Sequence, residues 1–384
     1  MVPEIQRPSD LPLLPNDWDR SKFSKVCKVR QGLQVLISDR LRVPTPTSHE
    51  YITIQSINKS AQEREYIESP NPKVVCKPDD VLMTRTGNTG IVVTDVEGAF
   101  HNNFFLIDYD RGNVEKKFLV EYLRSKRVQH VLLTKAGSST IPDLNHGDFY
   151  SIEFPLPPLP EQRKIADILS TWDRAIETSE ALLATARTQK RALMQSLLTG
   201  KRRFPEFEGQ EWKEVRLGDV CEPKQWMTIS NKQMKEEGFP VYGANGRIGW
   251  FDEFTHLEPT IAVGCRGVCG SVHLTPPKSY ITGNSMALDS LDSSKAVVGF
   301  LFQYLIYFGF RHIVSGSAQP QITGQAIKSL KIKLPSIEEQ EKIAVIFAEA
   351  ESAVGTHEVQ AKKLRTEKKA LMQQLLTGKR RVVV

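Results

Sequence analysis

The chain has 384 residues, of which 40% are hydrophobic and 25% are charged, and this composition excludes a wholly disordered or fibrous protein. Its length predicts two or three domains, each able to bury its own core. Lys and Arg number 51 against 45 Asp and Glu, and the net charge of +6 permits an acidic partner such as nucleic acid without requiring one.

Signals for export or membrane insertion are missing from the sequence. The N-terminal segment lacks the basic and then apolar pattern of a signal peptide. Five cysteines in a chain of this length do not make a disulfide framework and indicate a reducing compartment. The most apolar stretch, residues 296–310, is too short to cross a bilayer and predicts a buried helix. We therefore expect a cytoplasmic protein that does not bind membranes.

Two variable segments have the pattern of mixed α and β structure. In residues 74–95, VVCKPDDVLMTRTGNTGIVVTD, apolar runs alternate with Gly, Asn and Asp, as they do in short strands joined by turns. Residues 258–274, EPTIAVGCRGVCGSVHL, have the same pattern. We assign residues 1–158 to a first domain and residues 204–334 to a second. The order of their strands does not follow from the sequence.

Two long helices are predicted, one in residues 159–203 and one in residues 335–384. In both, apolar residues recur at spacings that alternate between four and three, which is the heptad seam of a coiled coil. About 38 residues with a rise of about 1.5 Å each give a rod of roughly 55–60 Å. The apolar seam residues are Ile165, Leu169, Trp172, Ile176, Leu183, Leu193, Leu197, Ile343, Phe347, Val354, Leu364, Leu371 and Leu375.

The chain is an internal repeat. Residues 157–203 align without a gap to residues 335–381, and 24 of the 47 positions are identical, which is far beyond chance. Shorter matches lie in the domains, where FLVEYL from Phe118 matches FLFQYL from Phe300 and SSTIPDL from Ser138 matches GSAQPQI from Gly316. One α+β architecture, a domain followed by a helix, is therefore used twice with a pseudo-two-fold relation.

The narrow seam of each helix requires a partner helix. The second copy is the nearest candidate, and we expect the two helices to pair within the chain as an antiparallel coiled coil. Packing of each helix on its own domain, or against another chain, is the alternative.

Catalytic motifs are scarce. No segment has the spacing of a phosphate-binding loop, a dinucleotide loop or an amino-methyltransferase loop. Asp79, Glu115 and Lys117 form a loose version of a metal-dependent nuclease pattern, and surface turn residues are the favoured interpretation.

One set of residues has the chemistry of a zinc site. Two thiolates and two imidazoles can bind zinc tetrahedrally, but their spacing fits no common zinc module, and the first copy has other residues in these places. Ordinary strand and turn residues are therefore favoured. The four residues are His256, Cys265, Cys269 and His273.

The repeated motifs resemble a known family. A variable domain that ends in LPPLPEQRKIA and a long helix that closes in LLTGKRRF resemble the specificity subunit of type I restriction–modification systems, and both have a similar second copy, LPSIEEQEKIA and LLTGKRRV. WKEVRLGDVCE from Trp212, PVYGANGRIGWFDEF and TIAVGCRGVCGSV are similar to segments of the second domain of that family. The resemblance covers essentially the whole chain.

This resemblance implies a function and a set of partners. It implies two target recognition domains, each of which recognises one half of a bipartite, asymmetric DNA target, and a coiled-coil spacer that sets the gap. It also implies a non-catalytic subunit that binds no cofactor itself. Two modification subunits would use S-adenosylmethionine to methylate adenine N6, and restriction subunits would use ATP and Mg to move along and cleave DNA.

Other functions stay open at this stage. The chain could be a silent or swappable specificity cassette, and a standalone DNA-modifying enzyme or a coiled-coil protein that does not recognise DNA is the further alternative. The clusters 201–203 and 379–381 could hold DNA phosphates, contact the modification subunit or complement a helix C-terminus. Subunit contact or solvation is favoured for them.

Candidate DNA contacts lie in loops beside glycines, because glycine allows the backbone to approach a groove. Arg suits guanine and Asn suits adenine in the major groove, whereas Lys suits phosphates. The candidates are Arg85, Thr86 and Asn88 in the first domain and Arg247, Arg266, Lys232 and Lys278 in the second.

Overall fold

The computed structural model describes residues 11, 13–58, 64–137, 142–316 and 319–383. The chain divides into two units, of which unit 1 extends to Thr178 and resumes at Ala361, whereas unit 2 extends from Ser179 to Gln360. The division falls inside both long helices, so each unit contains part of each helix. The domain boundaries at residues 158, 203 and 334 stay a prediction, and part of the SSTIPDL and GSAQPQI match lies outside the described residues.

Unit 1 contains, among its described residues, ten strands and four short helices ahead of the first long helix. The strands are β1 (Asp19–Lys22), β2 (Cys27–Gln31), β3 (Ser48–Ile52), β4 (Tyr66–Glu68), β5 (Val75–Cys76), β6 (Val81–Thr84), β7 (Val92–Thr94), β8 (Gly98–Phe100), β9 (Phe104–Tyr109) and β10 (Glu153–Leu156). The helices are α1 (Phe23–Val26), α2 (Lys116–Arg124), α3 (Lys126–Ala136), α4 (His146–Tyr150) and the long α5 (Leu159–Leu197).

Unit 2 contains nine strands and two short helices in its described part. The strands are β11 (Lys213–Arg216), β12 (Glu222–Gln225), β13 (Phe239–Gly243), β14 (Gly246–Phe251), β15 (Ile261–Gly264), β16 (Val272–Leu274), β17 (Tyr280–Ile281), β18 (Ser285–Asp289) and β19 (Lys331–Leu334). The helices are α6 (Val298–Phe308), α7 (Gly324–Lys328) and the long α8 (Ile337–Leu375).

The two units share their sheet topology, except that β5 of unit 1 has no counterpart strand in the described part of unit 2. One antiparallel sheet has the order β2–β9–β6–β7 in unit 1 and β12–β18–β15–β16 in unit 2. A second sheet has the order β4–β3–β8–β5 and corresponds to β14–β13–β17, with the parallel pairs β3–β8 and β13–β17. The first and last strands of each domain pair antiparallel, β1 with β10 and β11 with β19. This confirms the predicted mixed α/β fold and its repetition.

The short strands form where apolar runs are interrupted by turns. β6 is buried along its whole length, and it lies in the first strand-like segment of the sequence, whereas β15 is its buried counterpart in the second. Helix α3 is capped by Ser125, whose hydroxyl accepts a hydrogen bond from the Val128 amide, as N-cap residues do. The predicted strand-like segments are confirmed.

Each unit buries its own hydrophobic core. The main core of unit 1 includes Phe23, Phe118 and Phe154, and that of unit 2 includes Phe300 and Phe347. The buried helix predicted in residues 296–310 is present as α6, which buries Phe300, Leu301 and Leu305 in the core of unit 2, whereas its last three residues are exposed. Among the described residues, no helix is both long and apolar enough to cross a membrane.

Candidate nucleic-acid interface and helical spacer

The first candidate loop joins β6 to β7 and is held against a distant segment. Gly87 has a φ of +80°, a left-handed conformation that favours glycine, and its amide donates to the Pro142 carbonyl over 3.0 Å. The Leu144 amide in turn donates to the Arg85 carbonyl over 2.9 Å. The backbone of this loop is therefore fixed by residues 142–144.

The three candidates in this loop differ in their availability. The Arg85 side chain is only 15% exposed, and its Nη2 lies 2.8 Å from Asp143 Oδ2. The Thr86 hydroxyl donates to Asp143 Oδ1 over 2.5 Å. Asn88 is exposed at the turn. Arg85 must leave Asp143 before it can contact a base, whereas Asn88 is already available.

The corresponding loop of unit 2 joins β15 to β16 and has different side chains on the same scaffold. Gly267 has a φ of +77°, and the Ile322 amide donates to the Cys265 carbonyl over 3.0 Å. The backbone of Arg266 forms an isolated β-bridge with Gln321, as the backbone of Thr86 does with Asp143 in unit 1. The side-chain amide of Gln321 therefore takes the place of the Asp143 carboxylate. Arg266 is exposed, and its guanidinium has no acid at the position that Asp143 holds in unit 1.

Arg247 is brought close to this second loop. It follows the turn between β13 and β14, and the Ser271 hydroxyl donates to the Ala244 carbonyl of that turn. Arg247 is exposed, and its guanidinium lies 4.8 Å from the centre of the Trp250 ring, within cation–π range. Lys232 and Lys278 are exposed on two other turns.

The long helices pair antiparallel. In unit 1, Glu161 of α5 bonds to Arg381 beyond the end of α8, and Asp173 bonds to Lys368. In unit 2, Lys190 of α5 bonds to Glu351 of α8. The partner number falls as the α5 number rises, which confirms the predicted antiparallel pairing. All thirteen apolar seam residues named in the sequence analysis are buried or half-buried.

A lysine occupies the same seam position in both helices. Lys368 Nζ lies 2.6 Å from Asp173 Oδ1 and 3.0 Å from Glu121 Oε2, and Glu121 is itself buried. In unit 2 the equivalent Lys190 pairs with Glu351. A polar group at a single seam position specifies the register of a coiled coil, because a shifted pairing buries the charge without a partner.

An ion-pair clamp closes the helix pair in unit 1. Glu161, in the first turn of α5, is buried and accepts two hydrogen bonds from Arg381, at 2.7 and 2.9 Å. Its carboxylate also accepts from the Trp18 indole over 2.9 Å, and Arg381 extends to Asp17 over 2.6 Å. These hydrogen bonds raise the pKa of Arg381 and lower the pKa of Asp17.

Unit 2 has the corresponding clamp with fewer members. Buried Glu339, in the first turn of α8, accepts two hydrogen bonds of 2.6 Å from Arg203, whose guanidinium lies 5.8 Å from the Trp212 ring. The third Arg203 bond reaches a backbone carbonyl, that of Gln210, instead of a second carboxylate. Each helix start is thus bound to the segment that follows the other helix.

A glutamine next to each clamp binds the helix to its domain. Gln162 is fully buried; its amide oxygen accepts from the Glu115 amide over 2.9 Å, and its nitrogen donates to the Asn113 carbonyl over 2.8 Å. Gln340 makes the same contacts with the Val297 amide and the Lys295 carbonyl. The Glu-Gln pair therefore binds the start of each helix to two partners: the glutamate binds the arginine that follows the other helix, and the glutamine binds the backbone of the domain.

Sequence reasoning did not assign these residues. The Glu-Gln pair and the Lys-Arg-Arg clusters were visible as repeated motifs, but the partners lie far away in the chain. Arg203 and Arg381, which were interpreted as subunit contacts or solvated charges, bind buried carboxylates. The sequence did hold one signal for these contacts. The same Glu-Gln pair begins both long helices and the same Lys-Arg-Arg cluster follows both, so a glutamate and an arginine of opposite charge are each repeated.

The other chemical candidates are occupied by structural contacts. His256 Nε2 lies 2.8 Å from Asp289 Oδ1, and the Cys269 thiol donates to the Pro320 carbonyl. Within the described ranges, no group of three or more His, Cys, Asp or Glu could hold a metal. Asp79 is paired with Arg111.

All five cysteines are free thiols. Burial raises the pKa of both Cys27 and its repeat counterpart Cys221 to about 12, which makes these thiols poor nucleophiles.

Together these features define a protein with two copies of one α/β domain, differing at their loops, on an antiparallel helical spacer. The chain belongs to the family of type I restriction modification DNA specificity domains, which matches residues 15–186 and 209–364.

Individual relatives cover nearly the whole chain. The chain is 23% identical to the type I restriction enzyme MjaVIII specificity subunit of Methanocaldococcus jannaschii, over 96% of this chain and 94% of that protein. Its fold is similar to the S subunit of a type I restriction–modification system from M. genitalium, with a TM-score of 0.69 and 18% identity over 96% of this chain and 99% of that one. A chain from a structure concerning complex assembly of the type I system has a TM-score of 0.57 at 22% identity, over 96% and 99% of the two chains.

Proposed function

We propose that the chain recognises a bipartite, asymmetric double-stranded DNA target, one half by each domain, and that α5 and α8 set the gap between the halves. The observation that carries this proposal is that one topology is built twice with different loop chemistry, Thr86 beside Asp143 against Arg266 beside Gln321. A shared scaffold with different contact residues suits two different half-sites. Half-sites about 34–36 Å apart, one turn of DNA, would meet such a pair on one face.

The exposed surface of the helices supports two copies of one partner. In residues 187–203 and 365–381, eight positions are exposed in both copies and six of them are identical. In the preceding parts, residues 159–186 and 337–364, only two of twelve such positions are identical. Packing does not require identity at exposed positions, so a surface used twice explains it. We assign these two surfaces, the repeated helix ends, to two modification subunits.

In this proposal the chain supplies recognition and the partners supply catalysis. The modification subunits bind S-adenosylmethionine and methylate adenine N6, and restriction subunits bind ATP and Mg and cleave DNA. This chain binds none of these cofactors and acts in the cytoplasm. If the isolated chain bound S-adenosylmethionine tightly, a standalone modifying enzyme would be the better proposal.

A map of N6-methyladenine in the source strain, with and without this gene, tests the proposal. We expect methylation to vanish at one split motif with a fixed gap. An unchanged map would favour a silent or swappable cassette, and co-expression with a modification subunit in a host without such systems would then show whether the chain directs methylation at all.

A domain exchange tests the assignment of one half-site to each domain. Residues 11–153 are replaced by the first domain of another family member. The first half of the methylated motif should change and the second half should stay, because the second domain and both long helices are retained. A change in both halves would contradict the assignment.

A further inference from the structure

A groove in unit 1 has no role in the contacts described so far. It lies between the junction of α2 and α3 and the C-terminal part of α8, and its cavity has a volume of about 640 Å³. One wall belongs to the first domain and the other to the repeated helix end of α8. We call it the basic groove.

The basic groove has an apolar floor and a cationic rim. Tyr122, Met372 and Leu376 form the floor and are part of the core of unit 1. The rim consists of exposed cations from both walls, and no acidic side chain lines it. In the described part of the chain, none of the rim residues Lys126, Arg127, Lys369 and Lys379 lies within salt-bridge distance of a carboxylate.

The equivalent place in unit 2 keeps the helix wall and changes the domain wall. Lys369 and Lys379 correspond to Arg191 and Lys201, so the helix side has the same charge. On the domain side, the sequence Arg124-Ser125-Lys126 is replaced by Ile306-Tyr307-Phe308, and all three of these apolar residues are exposed. The two repeated helix ends are thus flanked by surfaces of different chemistry.

We propose that the basic groove binds an acidic segment of the modification subunit, with an apolar side chain of that segment on the floor. This inference rests on the proposed function and deepens it. Unpaired cations around a cavity complement a carboxylate-rich segment and steer its approach. An apolar floor suits a protein side chain, whereas a DNA backbone offers only phosphate and sugar. The docking site in unit 2 takes the same partner by apolar contacts instead.

The two docking sites should therefore respond differently to salt. Screening shortens the range of exposed charges from about 8 Å at 0.15 M salt to about 3 Å at 1 M. The partner in the basic groove should leave first as salt rises, whereas the partner beside α6 should stay.

The experiment is native mass spectrometry of the full chain co-expressed with the modification subunit of its own system. Three forms are compared at about 0.15 M ammonium acetate: the wild type, the groove variant Arg127→Glu with Lys369→Glu, and the control Lys25→Glu with Lys28→Glu. The control makes the same charge change at exposed lysines of unit 1 outside the groove. We expect two modification subunits per chain in the wild type and the control, and one in the groove variant.

Each result has a distinct meaning. Two partners in the groove variant would overturn the inference while leaving the proposed function intact. No partner on the wild-type chain would overturn the proposed function, and the inference with it. If the groove variant kept two partners but bound target DNA at least tenfold more weakly, the groove would be a DNA contact and the inference would be wrong. A neutral variant, Arg127→Gln with Lys369→Gln, should lose its second partner at a lower salt concentration than the wild type.

Discussion

The loop after β6 and the loop after β15 occupy the same place on the same scaffold, yet they present different surfaces, one with its arginine paired and one with its arginine exposed. In unit 1, Asp143 holds Arg85 and Thr86, and the loop presents a neutral face. In unit 2, Gln321 replaces the carboxylate and Arg266 is exposed. The loop residue and its support change together: Arg266 stands in the place of Thr86 and Gln321 in the place of Asp143, while the backbone pairing stays the same.

The clamps show the opposite tendency. Both units keep the buried Glu, the Gln beside it and the Arg that binds the Glu. Variation is therefore concentrated at loops that face outward, and the contacts that fix the helices to the domains are retained. This is the arrangement expected when two halves must differ in recognition and agree in geometry.

The largest effect should come from charge in the helix seam. Leu193→Asp combined with Leu371→Asp would bury a carboxylate in each unit, at a cost of several kcal/mol per site. Target methylation should be lost although both domains stay folded. The control is Ala181→Asp with Val359→Asp, at exposed positions of the same helices outside the repeated helix ends. Unchanged methylation by the seam variant would contradict the spacer role.

The two clamps should differ in strength when the glutamate is neutralised. In Glu339→Gln, Arg203 loses its carboxylate partner and keeps only neutral acceptors, among them the Gln210 carbonyl. We expect the free energy of unfolding to fall by about 3 kcal/mol. In Glu161→Gln, Arg381 keeps Asp17, and we expect about 1–2 kcal/mol. Urea unfolding followed by tryptophan fluorescence measures both, with exposed Glu341→Gln as the control. Equal losses would mean that Asp17 does not support the unit 1 clamp.

The seam lysines should also be unequal. Lys368→Ala leaves Glu121, whose side chain is 8% exposed, without a cation, and we expect a loss of about 2 kcal/mol. Lys190→Ala removes an ion pair whose Glu351 is mostly exposed, with a loss of about 0–1 kcal/mol.

A rescue variant separates charge from packing at this site. The counterpart of Glu121 in unit 2 is Gln303, which is buried without a charge. Glu121→Gln should therefore restore most of the stability of Lys368→Ala in the same urea measurement. A double variant as unstable as the single one would show that the lost lysine contacts matter through packing.

The smallest effect is expected from an exchange of the loop supports. Gln321→Asp places a carboxylate beside Arg266 and should weaken target binding by the assembled complex about tenfold, and lower its salt slope by about one. Asp143→Gln releases Arg85. The free energy of unfolding of this variant should stay within about 1 kcal/mol of the wild type, because Asp143 is half exposed. Titration with target duplex at several salt concentrations measures both. No change for Gln321→Asp would remove Arg266 from the DNA contacts.

The features that could be predicted from the sequence are those encoded by a repeat or by a periodic spacing of apolar residues. The two helices followed from the seam, because heptad spacing directly encodes a buried face. Their pairing followed from the 24 shared positions, and its antiparallel direction from the domain that lies between the two helices in the chain. The strand order could not be predicted, since the parallel pairs β3–β8 and β13–β17 join segments that no local pattern relates.

Side-chain partners were the other limit of sequence reasoning. Arg85 is directed inward by an aspartate 58 residues away, and Glu161 is bound by an arginine 220 residues away. A charge in a loop or a motif has the same local signal whether its partner is solvent, a ligand or a distant side chain. For this reason the seven candidate DNA contacts stay predictions.

The division of the chain into units has a consequence for synthesis. Unit 2 is a continuous segment, whereas unit 1 needs Leu375 and Leu376 from the far end of α8 to complete its core. Chains emerge from the ribosome N-terminus first, and a core closes only when all of its segments are available. The first domain to be translated is therefore the last to be finished, and a premature stop after Gln360 would spare unit 2 and damage unit 1.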